Sequence, residues 1–135
     1  MMHPETPRQR LRLPLIGRLL SLTLGAVLAT TPALAEQVLY MFEQAGCAYC
    51  LQWDREVGDA YPLTDEGRAA PLVRINIRDD PPEGLKLAAR PVFTPTFVLA
   101  RDGQELGRIE GYPGEDFFWG LLGQMIATPA VASSN

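Results

Sequence analysis

Both cysteines of the chain lie in Ala45-Gly46-Cys47-Ala48-Tyr49-Cys50, separated by two residues and placed directly after the apolar run Val38-Leu39-Tyr40-Met41-Phe42. A helix starting at Cys47 would aim its free N–H groups and the positive end of its dipole at that sulfur. This favours the thiolate and makes Cys47 the nucleophile. Cys50, one turn further, is then the resolving thiol. Such a pair moves two electrons: Cys47 forms a mixed disulfide with a partner and Cys50 displaces it. The same spacing is also half of a structural zinc site, which needs four ligands, usually Cys and His. There is no third cysteine, and the one histidine, His3, lies in a segment expected to be removed, so no metal is expected. An inert structural disulfide is the other alternative; it is disfavoured because so short a loop removes little unfolded-state entropy.

The removable segment is residues 1–35. Arg8, Arg10, Arg12 and Arg18 precede an apolar run from Leu19 to Ala29, followed by Pro32 and Ala33-Leu34-Ala35. Basic region, short apolar region and small-x-small end are the order of a secretory signal peptide, and the run is shorter than the roughly 20 residues that cross a bilayer. A cut after Ala35 leaves residues 36–135 as one domain of 100 residues. It also shifts the net charge from −4 to −7, because the presequence holds four arginines and only one acid, Glu5. An acidic domain without a basic cluster argues against nucleic acid or anionic membrane as partner and leaves a protein as the expected one. Export places the dithiol in an oxidising compartment, where it sits as a disulfide unless something reduces it.

The elements that must position the cysteines follow from patterning. Residues 38–42 read as a strand covered on both faces. Trp53, Val57 and Ala60 or Tyr61 then mark the buried side of a helix over residues 47–60, ended by Pro62. Residues 64–68 are a loop or a short helical turn. Leu72-Val73-Arg74-Ile75-Asn76-Ile77 alternates as a second strand, and residues 83–89 carry helix formers with Leu85 and Ala88 or Ala89 spaced for a buried face. Residues 96–100 and 105–110 form two further strands joined through Asp102-Gly103, a hairpin signal. The last helix spans residues 114–126, with Phe118, Leu121, Leu122, Met125 and Ile126 on its apolar side. Trp53 and Trp119 read as core packing. The sum is an α/β chain whose four-stranded mixed sheet is flanked by helices on both faces.

That order, with Cys-x-x-Cys after the first strand and Thr94-Pro95-Thr96 before the third, resembles the thioredoxin fold over nearly all of residues 36–135. The resemblance implies a cis proline at Pro95 beside the cysteine pair, with the backbone of Thr94 free to pair with an extended substrate segment. Phe42-Glu43-Gln44-Ala45-Gly46-Cys47, Arg90-Pro91-Val92-Phe93-Thr94-Pro95-Thr96-Phe97 and Gly111-Tyr112-Pro113-Gly114-Glu115-Asp116-Phe117-Phe118 are more closely similar to the SoxS type, the periplasmic thioredoxins encoded with bacterial sulfur-oxidation systems. That similarity implies a thiol-disulfide oxidoreductase without cofactor beyond its own Cys47–Cys50 disulfide. It further implies a reductase of a blocked cysteine on the sulfur-carrier protein SoxYZ, fed by a membrane thiol transporter of the CcdA or SoxV type.

One position departs from the family. Thioredoxins often carry a buried acid six residues before the first cysteine, to move a proton to or from the second; here it is Met41. Glu43 is the candidate proton relay in its place, against the alternative of an exposed strand-end glutamate. Tyr49, inside the pair, is a candidate partner contact that would also tune the potential, against the alternative of a plain surface aromatic. Two other functions fit the same fold: a disulfide oxidase or isomerase of secreted proteins, since direction depends on reduction potential, and a non-catalytic binding or metal-delivery module.

Overall fold

The computed structural model describes residues 36–128. The signal peptide expected over residues 1–35 lies outside them. Strand β1 (Gln37–Glu43) is central, paired in parallel with β2 (Leu72–Asn76) and antiparallel with β3 (Thr96–Arg101), which in turn pairs antiparallel with β4 (Gln104–Glu110). The strand order is therefore β2-β1-β3-β4. The two inner strands are covered on both faces, which is why Val38–Phe42 and Phe97–Ala100 run without polar interruption. Asp102 and Gly103, both at positive φ, make the β3–β4 turn as the Asp-Gly pair requires.

One face of the sheet carries the main core. Leu39, Met41, Phe97, Leu99 and Ile109 meet Trp53, Val57, Tyr61, Phe118 and Leu122 there. Trp53 sits at its centre, with ring centroids 5.4 Å from Phe97, 5.7 Å from Phe118 and 6.0 Å from Tyr61. Trp119 stacks on Tyr61 at 5.8 Å. Both tryptophans thus serve packing. Helix α3 (Glu115–Ala127) turns Phe118, Leu122, Met125 and Ile126 to this core, whereas Leu121, expected on the same side, remains 41 % exposed.

The helix after the cysteines is built in two pieces. Helix α1 (Ala48–Trp53) passes directly into a wider, π-type turn over Asp54–Gly58. Trp53, Val57 and Tyr61 are four residues apart, so on a regular helix each would drift about 40° from the last. A turn with i→i+5 bonding absorbs that drift and keeps all three inward. The undecided stretch at residues 64–68 is a short helix, α2 (Asp65–Ala69), capped by Thr64, whose Oγ1 accepts from the Gly67 N–H at 3.0 Å.

The second face corrects the sequence reading. Residues 83–89 are not helical: Glu83 and Gly84 make a turn, Ala88 and Ala89 a bend, and between them Lys86 is bridged to Gln104 through bonds of 2.8 Å (Lys86 N–H to Gly103 O) and 3.1 Å (Glu105 N–H to Lys86 O). Pro81, Pro82, Gly84 and Pro91 leave too short a stretch for a helix nucleus. Leu85 and Leu87, spaced by two, pack against Phe42, Ile75 and Val98 in place of a helical face. Among the described residues, every helix therefore lies on the face that holds Trp53.

Candidate active site

β1 runs out at Glu43, and the chain turns through Gly46, at φ 79°, into Cys47. Cys47 is the N-cap of α1: its Sγ accepts from the Cys50 N–H at 3.1 Å, and its carbonyl accepts from the Leu51 N–H at 3.1 Å. The helix start expected there is thus in place, and the Cys50 amide of its first turn points at the sulfur of Cys47. The two cysteines are joined in a disulfide, Cα to Cα 5.2 Å. Cys47 is 9 % exposed and Cys50 4 %, so Cys47 is the more accessible of the two. Tyr49 projects from the same turn and is 60 % exposed.

Because β3 is antiparallel to β1, with Thr96 opposite Phe42, the residues just before β3 share the sheet end where Cys47 lies. The Thr94–Pro95 bond there is cis. Pro95 is buried and Thr94 half-buried. The loop is fixed on both sides: Thr96 Oγ1 donates to the Phe93 carbonyl at 2.8 Å, and the Gly111 N–H donates to the Pro95 carbonyl at 2.7 Å. Next to Gly111, the Tyr112 hydroxyl donates to Glu56 at 2.6 Å, tying the loop after β4 to the helix that carries the cysteines. That hydrogen bond, helped by one from Gln52, holds the Glu56 carboxyl below its ordinary range. Burial and then the bond to Glu56 push the Tyr112 phenol upward. Tyr49 lines a cleft with Glu110, Gly111, Tyr112 and Pro113.

A second cleft, of about 270 Å³, opens beside the disulfide and is lined by Cys47, Cys50, Glu43, Asp54 and Arg74 among others. Glu43 therefore does share a cleft with Cys50. Its carboxylate is held by Arg74 at 2.7 Å, and the other arm of Arg74 donates to Asp54 at 2.5 Å. The guanidinium also lies 5.5 Å from the centroid of the Trp53 ring. Burial lowers the proton affinity of Arg74, but the bond to Asp54 and the charge of Glu43 outweigh it, leaving the group above its usual range. Met41, paired in register with Arg74, is fully buried and supplies no proton-accepting atom. Arg74 and Asp54 were not singled out from the sequence. Two signals mark them: Asp54 is four residues after Cys50, one turn along the same helix face, and Arg74 holds the position of β2 that turns to the helix-bearing face.

Thr94 and Pro95 belong to neither cleft; they lie at the same sheet end as Cys47 but outside the Glu43–Arg74–Asp54 group. Among the described residues no cluster of three or more His, Cys, Asp or Glu side chains is arranged to hold a metal ion.

The thioredoxin-like domain model matches residues 24–126, and the chain belongs to that family. It is a thioredoxin-like thiol-disulfide oxidoreductase whose active-site pair is Cys-x-x-Cys. Among solved structures, the periplasmic thioredoxin SoxS from Paracoccus pantotrophus, in its reduced form, is 59 % identical, with 67 % of this chain and 96 % of that one covered and a TM-score of 0.66. A thioredoxin from Malassezia sympodialis, 18 % identical over 69 % of this chain and 80 % of its own, with a TM-score of 0.50, shares the fold. A search of curated proteins returned no match.

Proposed function

We propose that this protein is a periplasmic reductase of protein disulfides or persulfides, and that its substrate is the blocked cysteine of a sulfur-carrier protein of the SoxYZ kind. The Cys47 thiolate attacks the partner's sulfur and releases the partner's other sulfur as a thiol. Cys50 then attacks Cys47, frees the reduced partner and closes the Cys47–Cys50 disulfide. Two electrons pass from dithiol to partner. Reduction of the disulfide for the next cycle falls to a membrane thiol transporter of the CcdA or SoxV type.

The observation that carries this reading is the capping of α1 by Cys47, with Cys50 beneath it and the cis Thr94–Pro95 bond at the same sheet end. Thr94 and Pro95 serve as the edge on which an extended substrate segment lies, and Tyr49, exposed beside Cys47, touches the partner. The periplasmic setting and the sulfur-carrier substrate rest on the 59 % identity to periplasmic SoxS and on the motif similarity of residues 42–47, 90–97 and 111–118.

The test is capture by the Cys50→Ser protein in the periplasm of its own host. The expected result is a covalent, reductant-sensitive adduct on Cys47 containing the sulfur-carrier protein. Capture of many unrelated secreted proteins, together with a strongly oxidising potential against glutathione, would replace the reductase by an oxidase.

A further inference from the structure

The resolving step needs a proton acceptor. In the mixed disulfide, Cys50 is a thiol enclosed by core residues, and before it attacks Cys47 its proton must leave. Met41, in the same core cluster as the pair, has no atom to take it. The charged groups that line the cleft beside Cys50 are Glu43 from β1, Arg74 from β2 and Asp54 from the turn that continues α1. Arg74 holds both carboxylates, Glu43 at 2.7 Å and Asp54 at 2.5 Å, so each has one side fixed by the cation. The two acids are not equivalent. Asp54 follows Cys50 by four residues on a continuous helical backbone, which puts their side chains on neighbouring positions of one face. Glu43 approaches from the strand end, beyond Met41.

We propose that Asp54 is the group that takes the Cys50 proton during resolution and returns it when the disulfide is reduced, with Arg74 as the positioning residue that holds the Asp54 carboxylate toward the cleft. This deepens the redox function proposed above and rests on it. The Cys50 S–H proton passes through the cleft's solvent to Asp54, the Cys50 thiolate attacks Cys47 Sγ, the bond from Cys47 to the partner sulfur breaks, and that sulfur leaves with the electron pair. Asp54 then gives the proton to solvent. The dithiol is oxidised by two electrons and the partner disulfide is reduced by two.

The test uses the reduced protein and one equivalent of an aromatic disulfide, 5,5′-dithiobis(2-nitrobenzoate), by stopped flow from pH 5 to 9. Attack by Cys47 releases the first aryl thiolate, and resolution by Cys50 releases the second. Asp54→Asn keeps the shape and an oxygen for Arg74; it is expected to slow the second release about a hundredfold at neutral pH, the low end of what a lost general base costs. Its pH profile should move upward while the first release stays within about twofold. Asp54→Glu should recover most of the second rate. An unchanged second release in Asp54→Asn, equal slowing of both releases, or slowing by Glu43→Gln alone would each overturn the assignment. A missing first release in the unmodified protein would instead remove the redox function on which the assignment rests.

Discussion

Glu105→Ala tests the arrangement that replaces a helix on the second face. The Glu105 carboxylate receives Arg108 Nε at 2.6 Å, Arg108 Nη2 at 2.8 Å and the Ala88 N–H at 2.7 Å, while Arg108 also donates to the Ala89 carbonyl at 2.7 Å. These bonds tie β4 to the extended segment whose Leu85 and Leu87 cover Phe42, Ile75 and Val98. Hydrogen bonds to charged groups contribute about 1.5–3 kcal/mol each when both partners are enclosed. Here the Ala88 N–H and the Arg108 guanidinium can turn to water once the carboxylate is gone, so the three bonds together should be worth about 2 kcal/mol. With a urea dependence of about 1.5 kcal/mol per molar, the unfolding midpoint should fall by roughly 1.3 M. The effect has a pH signature. Burial raises the Glu105 carboxyl, but the bonds from Arg108 and Ala88 more than reverse this and hold it below its ordinary value. Its contribution is therefore present above the unfolded carboxylate range, near pH ~4.3, and fades as pH falls through the lowered folded value. The gap between the two proteins should be full at pH 7 and narrow in acid, and amide exchange at residues 85–88 should quicken before that of β1. A midpoint shift below about 0.3 M, or a gap independent of pH, would refute the reasoning.

The other expectations concern the core and the cysteines. Trp53→Ala empties the centre of the aromatic cluster and should cost about 3–5 kcal/mol by equilibrium unfolding, whereas Tyr49→Ala, on the surface, should change stability by less than about 0.5 kcal/mol and slow partner reduction. Gly67→Ala should be disruptive although the helix around it is short, because a methyl group there runs into the backbone carbonyl of Tyr61; a melting temperature within a degree of the unmodified protein would contradict the packing of α2. Cys47→Ser should abolish disulfide reduction in an insulin turbidity assay, and undiminished turnover would remove the mechanism.

Much of this was legible in the residues. The unbroken apolar run of β1, the alternation of β2 and the Asp102-Gly103 turn are local signals, and the sheet follows from them. The cysteine pair was legible because two thiols at that spacing after a buried strand have few uses. What sequence missed depended on competition between signals. Leu85 with Ala88 fits a helix, while Leu85 with Leu87 fits a strand; the prolines and the bonds to Gly103 and Glu105 decide for the second. Arg74 was hidden because an arginine in an alternating strand reads as solvent-facing, and only the pairing of β1 with β2 turns it under Trp53 and between Glu43 and Asp54. The partner's identity has no local signal at all and enters through similarity to other proteins.

The division of labour between the two sulfurs is the centre of the account, and limited alkylation tests it directly. The reduced protein is treated with substoichiometric iodoacetamide across a pH series, and mass spectrometry locates the adduct. Carbamidomethylation should fall on Cys47 first, with a rate that follows a single titration below the ordinary thiol value of about 8.5. Modification of Cys50 ahead of Cys47, or equal labelling of both with an unshifted titration, would contradict it.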